Sequence, residues 1–327
     1  MQRRLVSSIF AIKNTLEKRY KALQGLVELL RTNPSLWNQQ SRLRADEIDD
    51  IHTIDDYDDL DDKEREAIDT IMADPRKLKM FTTAKSPQEI SREAQEVKAL
   101  FDLASDLYNN EQEERKFKEL KELLRSQGVV DGEKLVIFTE HKDTLIYLQK
   151  RLSNNGYKVE VIHGGMAVDE RREAQSRFRQ PDTQILIATD AAGEGINLQF
   201  CRLLINWDIP WNPNRLEQRM GRIHRYGQQN DVVVFNMVAN NTREGVVLKK
   251  LLDKLDLIRN HLGDDRVYDV IQDVMENVPM EAIIAAVFNG EDTDFSAFID
   301  QDVAVLQELF KKSIENQHNR IAHSRVD

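Results

Sequence analysis

The sequence predicts an α/β fold: a sandwich built on a parallel sheet, flanked on both sides in the chain by α-helical regions. Three observations carry this. Between Lys134 and Asn240, short apolar runs alternate with stretches of helical spacing, and that alternation makes parallel strands joined by right-handed crossovers. Before and after this segment, apolar residues recur every three or four positions, the period of an amphipathic helix. Hydrophobic side chains make up 40% of the 327 residues, enough to bury a core. At ~100–200 residues per domain, the length suggests two or three units: a helical region with an acidic insert over 1–128, the α/β domain over 129–240, and a helical extension over 241–327.

The first helix is expected over 5–30. Leu5, Ile9, Ile12, Leu16, Tyr20, Leu23, Val27 and Leu30 form one stripe, and Asn33-Pro34 stops it. Residues 46–62 then hold ten acids, from Asp46-Glu47 to Asp61-Asp62. A calcium loop needs a glycine at its turn and a bidentate Glu at its end. Neither stands at that spacing, so a solvated face is expected. Ser86-Pro87-Gln88-Glu89 reads as a capping box with proline in the first turn. The helix it opens carries Ile90, Ala94, Val97, Phe101, Ala104 and Tyr108 as its buried stripe. A further helix around Phe117, Leu120 and Leu124 ends near Gly128.

In the α/β segment the candidate strands are 135–138, 157–162, 184–189, 202–206 and 232–238. Helices are expected over 141–152, 168–178 and 213–226. Beyond it, Val247, Leu251, Leu255 and Ile258 return to helical spacing.

The one cysteine, Cys201, excludes a disulfide framework and fits a reducing compartment. It stands beside Leu203, Leu204 and Ile205, which points to a buried, inert thiol. No run approaches the ~18 apolar residues of a membrane span, and Met1–Leu5 lacks the apolar core of a signal peptide. A cytoplasmic protein is expected. The net charge of −11 is uneven: residues 134–240 carry a net +2 and the remainder −13. The candidate chemistry therefore lies on the least acidic segment.

The strongest motif is Gln218-Arg219-Met220-Gly221-Arg222-Ile223-His224-Arg225. Asn212 and Pro213 suit the start of its helix. Gln218, Arg222 and Arg225 are spaced by four and three, so on a continuous helix they share a face. The bland alternative is a solvated arginine face. Against it stands Gly221, which costs a helix interior ~1 kcal/mol relative to Ala. Two guanidinium forks one turn apart can also bracket a terminal phosphate. Arg215, earlier on the helix, is expected to be a bystander.

The second motif runs from Ile185 to Leu198, through Thr189, Asp190, Gly193, Glu194 and Gly195. An apolar strand enters a glycine-containing loop at its carboxyl end, where open parallel sheets place ligands. Gly193 and Gly195 let backbone N–H groups approach a phosphate. A dinucleotide fingerprint is excluded, because the third glycine is missing. Two weaker signals are Thr139, which ends the first strand, and His163-Gly164-Gly165, which comes after the second. Each alone suits any strand end. His163 has no nearby Cys or second His, so no metal site is expected.

Taken together, residues 134–240 resemble the second RecA-like domain of superfamily-two helicases, a P-loop NTPase-type fold. Phe138-Thr139 resembles motif four, His163–Gly165 motif four-a, Thr189–Leu198 motif five and Gln218–Arg225 motif six. Arg225-Tyr226-Gly227-Gln228 and Gly195–Leu198 resemble the Swi/Snf-like branch. Arg3-Arg4-Leu5 with Ser7-Ser8 resembles the segment after the first domain in bacterial members, including RapA-like and phage-defence types.

The resemblance implies an ATP-dependent motor on nucleic acid, more often a double-stranded-DNA translocase than a strand separator, in the bacterial cytoplasm near the nucleoid. Arg222 and Arg225 become arginine fingers for ATP, with Gln218, Arg219, Gly195, Asp190 and Glu194 supporting the site. Thr139, Gly164, Gly165, Thr189 and Gly193 become contacts to the phosphodiester backbone.

The sequence departs from the family in two respects: no G-x-x-x-x-G-K-[ST] phosphate loop occurs, and no apolar strand ends in a Mg-binding acidic pair. ATP and Mg are then expected to be held mainly by a first RecA-like half, in cis or in trans, and this chain alone is expected to be inactive. A protein partner for the helical regions is a further expectation. Two alternatives stay open, a non-catalytic binding module and part of an RNA helicase.

Overall fold

In the computed structural model the described residues are 7–34, 70, 74–78, 82, 84, 86–110, 114–190, 196–210, 213–224 and 231–239. The acidic segment 46–62, the stripe from Val247 to Ile258, Arg3–Leu5, Gly193, Glu194, Gly195 and Arg225–Gln228 lie outside them. The chain divides into two units, Met1–Met237 and Val238–Asp327; the first contains every described helix and strand.

Helix α1 spans Ile9–Thr32. It starts later than the stripe suggests, because Ser8 caps it: the Ser8 hydroxyl accepts the Ala11 N–H at 3.1 Å. The four-residue α2 covers Pro75–Leu78, and α3 spans Pro87–Asn109. Ser86 caps α3 as expected, accepting from the Glu89 N–H at 3.2 Å. Leu16, Leu23 and Leu26 of α1 pack on Ile90, Ala94 and Val97 of α3, with Leu78 between them. An Arg19–Glu93 ion pair at 2.6 Å ties the two helices at one side. Helix α4, Arg115–Ser126, buries Phe117, Leu120 and Leu124 completely. Gly128 comes next with φ +70°, the left-handed turn that glycine accepts without strain.

The α/β part keeps the alternation read from the sequence. Its elements are β1 (Leu135–Thr139), α5 (Lys142–Asn154), β2 (Val159–Ile162), α6 (Val168–Arg179), β3 (Ile185–Thr189), β4 (Leu203–Asn206), α7 (Pro213–Met220) and β5 (Val233–Asn236). The five strands form one sheet in the order β2-β3-β1-β4-β5, and every pairing is parallel.

The central strands β1, β3 and β4 are buried along their whole length. A strand's period of two sends alternate residues to opposite faces. Leu135, Ile137, Ile185, Ile187, Leu203 and Ile205 meet α4 and α5 on one side. Val136, Phe138, Leu186, Ala188 and Leu204 meet Ala174 and Phe178 of α6 on the other.

The first face is also where the helical pair joins the sandwich. Phe10 of α1 stacks on Tyr147 of α5 at 6.3 Å between ring centres, and lies 5.4 Å from Tyr108 of α3. Cys201 is fully buried on the second face. Burial pushes its thiol up to about 12, as an inert packing residue requires.

Candidate active site

The parallel register brings polar residues into one row. Thr139 pairs with Thr189, and Asn206 pairs with Asn236, so the carboxyl ends of β3, β1, β4 and β5 each finish on a hydroxyl or an amide. The Asn206 amide donates to the Asn236 carbonyl oxygen at 2.8 Å, joining the last two. Ligands of open parallel sheets gather at this edge.

Below the edge sits a buried ionic knot centred on Arg219. Its side chain is 2% exposed, yet four donor contacts are satisfied. Nε and Nη2 grip the two carboxylate oxygens of Asp190 at 2.5 and 2.8 Å, the fork-to-fork geometry that guanidinium offers and ammonium does not. Nη1 donates to the Asn206 amide oxygen at 3.1 Å and to the Asp208 carbonyl at 2.7 Å. The guanidinium also lies 5.6 Å from the Phe138 ring centre. One side chain on α7 thus reaches residues after β3, at the end of β4 and after β4.

The Asp208 carboxylate forms the second half of the knot. It accepts from the Thr139 hydroxyl at 2.6 Å, the Glu140 N–H at 2.7 Å and the Ser7 hydroxyl at 2.8 Å. Arg219 Nη2 stands 3.8 Å away. Burial alone would push this carboxyl up. The charges of His141, Arg219 and Lys116, with the Thr139 hydroxyl, outweigh burial and hold it below the usual carboxylate range. Ser7 is tied in twice more: its hydroxyl shares a 2.7 Å bond with that of Thr144, and its carbonyl accepts the Trp207 indole N–H at 2.7 Å.

The expected site residues fall into distinct groups. Asp190 and Arg219 are brought together, but as each other's partners; Arg219 turns into the protein rather than toward a ligand. Arg215 lies at the margin of the same ion pair, its Nη1 4.0 Å from the Asp190 carboxylate. Thr139 and Thr189 are fully buried, so in this arrangement neither side chain has surface to offer a phosphate.

Gln218 is exposed and Arg222 half-buried. The helix expected to run to Tyr226 ends at Met220, and Gly221 is the first residue past it. The low helix propensity of glycine gives the reason. The chain continues as a turn in which the Arg222 N–H donates to the Arg219 carbonyl at 3.2 Å and the His224 N–H to the Met220 carbonyl at 2.9 Å. Buried Ile223 pins this turn to the second face of the sheet. The Arg222 carbonyl accepts the Leu198 N–H at 3.1 Å, which links the turn to the end of the second motif.

The loop after β2 forms a separate feature. The Met166 N–H closes a turn onto the His163 carbonyl at 3.0 Å. Arg171 of α6 buttresses the turn from below, donating to the Gly164 carbonyl at 2.8 Å and the Met166 carbonyl at 3.1 Å. Gly164 is buried and Gly165 exposed. A Cβ on Gly165 would lie 3.3 Å from the His163 ring, a tight approach, and 3.7 Å from Lys142 Nζ, an ordinary contact, so a side chain there would press on the His163 ring.

Sequence reasoning missed Asp208, Asn206 and Thr144. A readable signal was Asn206-Trp207-Asp208 at the end of an otherwise apolar strand, since a polar residue on a central strand needs a buried partner.

Part of the chain resembles known proteins. The helicase conserved C-terminal domain family matches residues 115–227. An uncharacterized ATP-dependent helicase, YqhH of Bacillus subtilis (strain 168), is 48% identical over 132 residues, covering 40% of this chain and 24% of that protein. The RNA polymerase-associated protein RapA of Vibrio parahaemolyticus is 28% identical over 194 residues, covering 58% of this chain and 19% of that protein. The matched region thus spans about a fifth to a quarter of these relatives. The crystal structure of the C-terminal part of the Fun30 ATPase domain aligns over 51% of this chain and 58% of that one, at 25% identity and a TM-score of 0.40. The family match of residues 115–227 and the likeness to ATP-dependent helicase and RapA sequences point the same way, to a helicase conserved C-terminal domain.

Proposed function

We propose that this chain supplies the arginine-finger half of an ATP-dependent translocase acting on double-stranded DNA. The observation that carries the reading is the anchoring of α7. Arg219 is bound to Asp190, Asn206 and Asp208, which fixes the backbone from which Arg222 departs. Gln218 is exposed and Arg222 half-buried, and their amide and guanidinium donors suit the terminal phosphate of a nucleoside triphosphate. When bound, ATP would supply the phosphoryl group and Mg would neutralise part of its charge, both held mainly by the first RecA-like half. Arg222 and Arg225 then hold positive charge where negative charge develops, an effect worth ~10³–10⁵ in rate for such fingers.

In this reading Arg219 is a positioning residue and Asp190 its counter-ion. Gly193, Glu194 and Gly195, which follow Asp190 in sequence, keep the roles that the resemblance implies. Gly164 and Gly165, beside Lys142 and His163, would meet the phosphodiester backbone, a contact indifferent to sequence and sensitive to salt. Thr139 and Thr189 support that edge from beneath.

The test uses the complete enzyme carrying the phosphate-loop half. Arg222→Ala and Arg225→Ala should each lower nucleic-acid-stimulated ATP turnover at least ~100-fold, with DNA affinity and melting temperature nearly unchanged, because loss of transition-state stabilisation appears in kcat. Arg222→Lys should not rescue, for want of the planar fork. Comparing duplex DNA, single-stranded DNA and RNA as stimulants identifies the track. The 327-residue chain alone should release phosphate at background rate. Parental turnover by both alanine variants would defeat the finger assignment.

A further inference from the structure

We propose that Ser7, Thr139 and Asp208 form a latch that joins the entry of the chain to the arginine-bearing turn, with Asp208 as a positioning residue for Arg219 and, through it, for Arg222. The latch rests on the finger reading above and deepens it.

The geometry has three parts. The Asp208 carboxylate is 11% exposed and collects the Ser7 hydroxyl, the Thr139 hydroxyl and the Glu140 N–H, all within 2.8 Å. These donors come from the segment before α1 and from the end of β1. The same residue faces α7: its carbonyl takes a 2.7 Å bond from Arg219 Nη1, and its carboxylate lies 3.8 Å from Nη2. Finally, Ser7 is held independently of Asp208, by Thr144 at 2.7 Å and by the Trp207 indole at 2.7 Å.

Residues 7 and 219 therefore bind the same amino acid, Asp208. A shift of the backbone at Ser7 moves a hydroxyl on a buried carboxylate, and the neighbouring Arg219 is bound to that residue by a main-chain and an ionic contact. The Arg219 carbonyl in turn accepts the Arg222 N–H. Simple structural glue would need none of this alignment: Trp207, Ile205 and Leu145 already pack the region without charge. The latch gives the segment leading into α1 a route by which its position sets the placement of Arg222.

The experiment measures steady-state ATP turnover of the complete enzyme for Ser7→Ala, Thr139→Val, Ser7→Thr and Thr139→Ser, with melting temperature as the folding check. Ser7→Ala and Thr139→Val each delete one hydroxyl donor to a charged acceptor. On the scale of one such bond, each should lower kcat about tenfold while leaving KM for ATP within about twofold. Ser7→Thr and Thr139→Ser keep the hydroxyl and should restore most of kcat. If Ser7→Ala destabilises the fold, Thr139→Val and its rescue by Thr139→Ser decide alone. Parental kcat in both donor-deleted variants overturns the latch, as does a loss that the hydroxyl-keeping variants share. The finger reading is judged separately by Arg222→Ala: if that variant keeps parental turnover, the fault lies with the reading, whatever Ser7→Ala does.

Discussion

Replacing Arg219 by alanine is the sharpest probe of the buried knot. The side chain is 2% exposed, and its removal leaves Asp190, at 12% exposure, with Arg215 at 4.0 Å in place of a bidentate fork. Asn206 and the Asp208 carbonyl also lose a donor. Breaking a buried ion pair by deleting one partner costs ~3–5 kcal/mol, most of it the penalty of an uncompensated charge. For a body of this size each kcal/mol lowers the melting temperature by ~2–4 °C, so a drop of ~6–20 °C is expected. Urea unfolding of the 327-residue chain, followed by circular dichroism, measures the same loss. A double change isolates the contribution of charge. Arg219→Met combined with Asp190→Leu removes both partners, leaves Asp208 with its three other donors, and should lose less than the sum of the single changes, by ~0.5–3 kcal/mol. If Arg219→Ala unfolds within ~0.5 kcal/mol of the parent, as surface substitutions do, the side chain is not held as described and is available to a ligand.

Two further predictions concern stability. Burial raises the Glu114 carboxyl above its ordinary value, against the pull of the Ile9 N–H that it accepts at 2.8 Å; a raised acid destabilises the fold increasingly as pH climbs from ~4.3 through the folded value. Glu114→Gln keeps the acceptor and removes the charge, so it should match or exceed parental stability at pH 7 and lose that advantage near pH 4; a variant weaker than the parent at pH 7 but not at pH 4 would contradict this. Gly25→Ala sets two effects against each other: alanine favours a helix by ~1 kcal/mol, but its Cβ would stand 2.5 Å from Cγ of the Pro75 ring, and such overpacking costs ~1–3 kcal/mol. Thermal melting should show a net loss that Pro75→Ala relieves, and a gain from Gly25→Ala alone would mean that α1 and α2 do not meet there.

The features legible in the sequence and those hidden from it divide along physical lines. Ser86 and the stripe of α3 were legible because capping and helical period are local, encoded within a few residues. The five strands were legible for the same reason, and burial on both faces gave the central ones continuous apolar runs. The end of α7 was misplaced because the arginine spacing suggested one continuous face, whereas Gly221 stands just past the last helical residue. Arg219 and Arg222 look alike in sequence. Only the fold separates them, one fully buried in the grip of Asp190 and the other half-buried in the turn that follows α7. Asp208 was invisible for a stronger reason: its partners Thr139 and Ser7 lie 69 and 201 residues away, and no local pattern records them.

That last separation carries a consequence for how the chain is made. Ser7 leaves the ribosome long before the carboxylate it will bind. At ~5–20 residues per second, the 201 intervening residues take roughly 10–40 s to appear. Helix α1 can meet α3 within the first hundred or so residues, so the helical pair has the opportunity to associate early. The hydroxyls of Ser7 and Ser8, by contrast, must wait for Thr144 and then for Trp207 and Asp208. During that interval the segment around Ser7 is open to water, chaperones and proteases. Its capture completes only when β4 has joined the sheet, which makes closure of this junction a late event in biosynthesis and protease resistance near residue 7 a marker of it.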